Sequence, residues 1–154
     1  MTKARGKPKP NLVKRSRQDA RLYLPLDVAT VNHISLRFRA ALEMARSGRA
    51  DRSTAHCLAH ATLLASFVAE AGHGKLAPET LAAAERGLGE LLRNGAETGA
   101  HDFAPELIEL VTAVVNEHDR QLREVRMGVI VEATDRLDRR IAATRSNGEL
   151  FRLD

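Results

Sequence analysis

The stretch Pro105-ELIELVTAVVNEHDRQLREVRMGVIVEATDRLDRRIAAT-Arg145 contains no proline after its first residue and one glycine, Gly128. Leu107, Leu110, Val111, Val114, His118, Leu122, Val125, Val129, Ala133, Leu137 and Ile141 recur at spacings of three and four, the period of one helical face. Read as one helix of about 40 residues, the stretch would be ~60 Å long, against ~30 Å for each companion helix of about 20 residues. Its second half would then project beyond its own chain, and that half is apolar. Two solutions follow. The rod persists and buries Val125, Val129, Ile130, Leu137 and Ile141 against a second copy, making a homodimer. Or it breaks near Gly128 and folds back as a further helix. The rod is the favoured expectation, because one interior glycine is a weak breaker. No clean heptad with oppositely charged flanks is present, so a simple coiled coil is not specified.

Upstream, three shorter helices are expected. The first begins near Pro25–Asp27, runs through Val28, Val31, Ile34, Phe38, Ala41, Leu42 and Ala45, and stops at Gly48. Asp51 or Ser53 caps the second, whose apolar face is Cys57, Leu58, Ala61, Leu64, Ala65, Phe67, Val68 and Ala71. Gly72-His73-Gly74 breaks the chain before a third helix that opens at Ala77-Pro78-Glu79. Gly87 and Gly89 either admit a close neighbour there or loosen the helix. Gly95 and Gly99 mark a flexible connection. The fold class is therefore all-α, a bundle of four helices (residues 22–148) with a long C-terminal helix and a short tail at 149–154. Only 3% of residues are aromatic, so Ala, Leu, Val and Ile must fill the core.

Charge is unevenly placed. Lys3, Arg5, Lys7, Lys9, Lys14, Arg15, Arg17 and Arg21 face Asp19 alone in residues 1–21, so this arm carries +7 and the remainder −3 of the net +4. With two prolines and little apolar content, the arm is expected to be disordered when free. Its cations could neutralise phosphates and give salt-sensitive, sequence-independent binding to DNA or RNA. The alternative is a solubilising tail. No apolar run approaches the roughly 20 residues that span a bilayer, so no membrane partner is expected. No signal peptide is visible and Cys57 is the only cysteine, which suggests a cytoplasmic protein.

Chemistry-bearing patterns are sparse. His56 and His60 share a helical face in an H-x-x-x-H spacing that can bind zinc. The glutamate that a catalytic H-E-x-x-H pattern requires is replaced by Cys57. The plainer reading leaves His56 exposed and His60 partly buried and hydrogen-bonded. Cys57 among Ala and Leu reads as a small core hydrophobe rather than a nucleophile. A helix-turn-helix is excluded, because residues 77–93 show Glu79, Glu85 and Glu90 against Arg86 and Arg93. No enzyme activity and no cofactor are expected.

The segments Leu24–Val28, Arg37-Phe38-Arg39-Ala40-Ala41-Leu42-Glu43-Met44-Ala45-Arg46-Ser47-Gly48 and Glu117-His118-Asp119-Arg120-Gln121-Leu122 resemble a family of small uncharacterised helical proteins of proteobacteria. Members share a basic, Pro-containing arm, an Ala-Arg-x-Gly helix end and an Ala/Leu-rich bundle. They occur on phages and other mobile elements, and some carry the label of Fis-type transcriptional regulator. The resemblance implies an accessory protein of a bacterium or phage and brings no catalytic residues. The functional expectation is a non-catalytic helical interaction or regulatory protein, homodimeric, with an unidentified protein partner. The alternatives are a nucleic-acid-associated regulator and a metal-binding helical protein.

Overall fold

Asp27 and Asp51 set the first two helix starts. Asp27 accepts the Thr30 N–H at 2.9 Å, and Asp51 accepts the Thr54 N–H at 2.8 Å, each satisfying a donor that a helix start leaves unpaired. A computed structural model describes Arg17 and residues 19–147, the side chains of 146 and 147 excepted. Its helices are α1 (Val28–Arg46), α2 (Arg52–Val68), α3 (Pro78–Thr98), α4 (Pro105–Glu124) and α5 (Met127–Asn147). A π-helical turn, Ala69–His73, extends α2. Pro78 and Pro105 open α3 and α4, where a missing N–H is harmless. Gly48 and Gly99 lie just past α1 and α3 with φ of 69° and 76°, the left-handed conformation that ends helices. Gly95, expected in a connection, is instead a buried residue of α3.

The fold is all-α, but the single long C-terminal helix is not formed. The chain turns at Val125–Arg126, and Val125 is extended at φ −88° and ψ 140°. Gly128 sits inside the first turn of α5 and is not the breaker. The fold-back buries Ile130, Ala133 and Leu137. Burying an Ile or Leu side chain contributes about 1.5–3 kcal/mol, whereas a helical hydrogen bond contributes about 1. Burial therefore outweighs the bonds lost at the turn. Two of those bonds are replaced, because Met127 N–H donates to the Leu24 carbonyl at 2.7 Å and Gly128 N–H to that of Leu22 at 2.8 Å. Pro25, expected at a helix start, instead pairs with Arg126 in an isolated antiparallel bridge. A β-carbon on Gly128 would stand 3.1 Å from the Leu22 carbonyl oxygen, so the glycine serves close approach.

α2 is the axis of the bundle. Twelve of its seventeen residues are buried, including Ala55, Ala59, Thr62 and Leu63, which lie off the expected apolar stripe. A helix apolar nearly all round must be surrounded. α1, α3, α4 and α5 all pack on it, while α4 also packs on α1 and α3. Successive helices reverse direction, so the starts of α1, α3 and α5 gather at one pole of the bundle. The α1–α2 and α3–α4 connections and the end of α5 gather at the other. Gly87 does admit a neighbour: a β-carbon there would strike the Leu107 side chain of α4.

Polar groups inside the bundle tie α4 to its neighbours. Gln121 Nε2 donates to the Ala65 carbonyl of α2 at 3.1 Å. Buried Glu117 accepts the Lys75 N–H at 2.7 Å and pairs with Arg120 at 2.8 Å, while Arg120 donates to the His73 carbonyl at 2.8 Å. Burial raises the Glu117 pKa, but Arg120 and the Lys75 N–H more than offset it and hold the carboxyl below its usual range.

Candidate functional site

Three helical faces meet at the second pole and border an open cleft of about 820 Å³. Arg52, His56 and His60 come from α2 at intervals of four. Gly89, Leu92, Arg93 and Ala96 come from α3, again one face. Ile141, Thr144 and Arg145 come from α5. The α3–α4 connection closes one end with His101, whose ring lies against Gly95 where a β-carbon would otherwise stand. Leu92, Ala96 and Ile141 make an apolar lining. Three arginines and three histidines supply the polar lining, and among the described residues no carboxylate lines the cleft.

The electrostatics follow from that composition. Arg52 Nε donates to His56 Nε2 at 3.4 Å, and the His56 and His60 rings lie 6.3 Å apart. Burial, then Arg52 and His101, lower the His56 pKa below the usual imidazole range. Burial, then His56 and Arg37, do the same for His60, with Asp138 opposing. Both rings are therefore neutral at pH 7. His101 is 8% exposed and makes no hydrogen bond from its ring among the described residues. Neither Arg93 nor Arg145 has a salt-bridge partner among the described residues. By contrast Arg39, Arg120, Arg123 and Arg136 each pair with a carboxylate.

His56 and His60 do share a face, with His60 the more enclosed. Among the described residues, no group of three His, Cys, Asp or Glu could hold a metal ion. Cys57 is half-buried, and burial raises its thiol pKa with only partial relief from Arg37, so it is protonated at neutral pH. The stripe expected to self-associate is used within the chain. Val125, Ile130 and Leu137 are buried in the core, Val129 and Ile141 pack against it, and Ile141 also lines the cleft. The geometric premise for a homodimer through that stripe is thereby removed. Of the arm, Lys3, Arg5, Lys7, Lys9, Lys14 and Arg15 lie outside the described residues, while Arg17 and Arg21 are exposed.

A second polar cluster lies between α1 and α4. Ser35 Oγ donates to Asp119, and Arg39 approaches the same carboxylate at 3.3 Å. His118 beside them is 2% exposed, edge-on to Phe38 at 5.4 Å, and turns Nδ1 toward Gln121 Oε1 at 3.4 Å. Ser35 is thus bonded to the acid and not to the imidazole, so these three residues form no nucleophile–base relay.

The sequence did not assign Arg93, His101 or Arg145 to this site, since each joins it from a different element. The legible signal was the helical spacing of His56 and His60. No protein family, curated protein or solved structure matches the chain.

Proposed function

We propose that this chain is a non-catalytic helical accessory protein that works by binding, and that the cleft between α2, α3 and α5 receives its ligand. One observation carries the reading: a cleft of about 820 Å³ combines an apolar lining with six convergent cationic or imidazole side chains. Small-molecule sites typically occupy about 300–1,000 Å³, mostly apolar with a few placed polar groups. The binding role is supported further by His56, which spends its Nε2 on Arg52, and by Cys57, which stays a thiol.

The test is a thermal-shift screen of small molecules against the full chain and an Arg93→Glu variant. Compounds that raise the melting temperature of the first and not the second support the cleft as the ligand site. A screen in which every stabilising compound acts equally on both sinks it.

Association of nucleic acid with the arm is a second reading, favoured by eight cations against one carboxylate in residues 1–21. A gel-shift series across salt separates it. Affinity should fall steeply with salt and vanish when residues 1–21 are removed.

A further inference from the structure

We propose, on the footing that the cleft is the ligand site described above, that its ligand is a small amphipathic anion. A carboxylate or phosphate head would sit between Arg93 and Arg145, and an apolar body would lie along Leu92, Ala96 and Ile141. The sequence around the cleft is acidic: seven carboxylates stand against two arginines between Glu79 and Glu109. Yet the face that α3 turns to the cleft shows Arg93 and none of those acids. Arg93 and Arg145 approach from separate helices, and neither has a carboxylate partner among the described residues. An anion between two cations that have no carboxylate partner among the described residues gains from both, and guanidinium donors match the oxygens of carboxylate and phosphate. His101 adds a ring that is 8% exposed.

The imidazoles make the binding proton-linked. His56 faces Arg52 and His101, His60 faces His56, Arg37 and Asp138, and His101 lies near Asp51. Burial and the neighbouring cations keep His56 and His60 neutral in the empty cleft. A bound anion stabilises the protonated rings, so binding takes up protons and tightens as pH falls through the imidazole range.

Isothermal titration of the full chain with octanoate, octyl phosphate, n-octanol, octyltrimethylammonium and inorganic phosphate, at pH 7.5 and pH 6, tests this. Octanoate and octyl phosphate should bind, and octanoate, which stays ionised over this range, should bind about tenfold tighter at pH 6 for roughly one proton taken up. The cationic probe should not bind. Arg93→Gln and Arg145→Gln, both at exposed positions, should each weaken octanoate about tenfold, as for loss of a charge-assisted hydrogen bond, with unchanged circular dichroism and melting. Octanol binding as tightly as octanoate would leave the cleft as the site and overturn the anionic head. Inorganic phosphate binding as tightly as octyl phosphate would overturn the apolar body. Failure of all five probes would overturn both this inference and the ligand-binding reading beneath it.

Discussion

The ring of His101 occupies the place where a side chain on Gly95 would begin. One residue therefore exists as glycine so that another can close the cleft. α3 keeps its helical path through Gly95, and the following connection folds back onto its last turn, where Gly99 adopts φ 76°.

Gly95→Ala should displace His101. The ring is enclosed, so overpacking is expected to destabilise the fold by about 1–3 kcal/mol, and ligand affinity should fall with it. Urea unfolding of the variant measures the first effect and titration the second. A variant with unchanged stability and affinity would show that the His101 ring moves freely.

His118 should make the protein acid-labile. Burial lowers its pKa from 6.5 to about 4 in the fold, while Gln121, Asp119 and Glu117 oppose and Arg37 assists. As pH falls below 6.5 the unfolded chain takes up the proton first. Stability is therefore full above pH 6.5 and declines down to about pH 4, by on the order of 3 kcal/mol. His56 and His60 act in the same direction. Urea midpoints between pH 7.5 and 4.5 measure the slope, and His118→Leu should remove most of it. An unchanged slope in that variant would place the lability elsewhere.

Glu117→Gln should destabilise strongly. The carboxylate satisfies the Lys75 N–H and balances Arg120, which is itself bonded to the His73 carbonyl. Removing one member of a buried pair typically costs about 3–5 kcal/mol. Arg120 keeps Glu124 at 2.7 Å, so a loss near the lower end is expected in chemical unfolding. A loss under about 1 kcal/mol, the size of an exposed pair, would mean that water replaces the carboxylate.

Leu137→Asp should unfold the chain rather than split a dimer. Leu137 is 5% exposed within its own core, and an unpaired charge there cannot be solvated. Circular dichroism and light scattering on the same sample decide it. A folded monomer from a wild-type dimer would restore the self-association stripe.

Gly128→Val should loosen the root of the N-terminal arm. Its side chain would crowd the Leu22 carbonyl that accepts the Gly128 N–H. Limited trypsinolysis at Arg21 should then run several-fold faster, as expected for a lost anchoring bond worth about 1 kcal/mol. An unchanged rate would show that the Leu24 bond alone suffices.

Local signals carried much of the fold into the sequence. Asp27, Gly48, Asp51, Pro78 and Pro105 stand at helix ends for reasons of backbone chemistry that need no neighbours. The turn at Val125 left no such signal, because an extended valine requires no special residue. It exists because Ile130 and Leu137 find cover on α2, a tertiary gain that periodicity cannot register. The same limit applies to the cleft. His56 and His60 were visible as a pair, since one helix sets their spacing. Arg93, His101 and Arg145 become their neighbours only when α3 and α5 dock. The off-stripe Ala55, Ala59 and Leu63 were the trace of a surrounded α2.

α5 is joined to α4 through two residues and docks chiefly on α2, whereas α4 is held by three helices. Regions with fewer buried neighbours exchange their amide hydrogens through cheaper local openings. Deuterium should therefore enter α5 well before α2. Because α5 forms one wall of the cleft, a ligand bridging Arg93 and Arg145 would slow that exchange, so the most weakly held helix would report occupancy of the site.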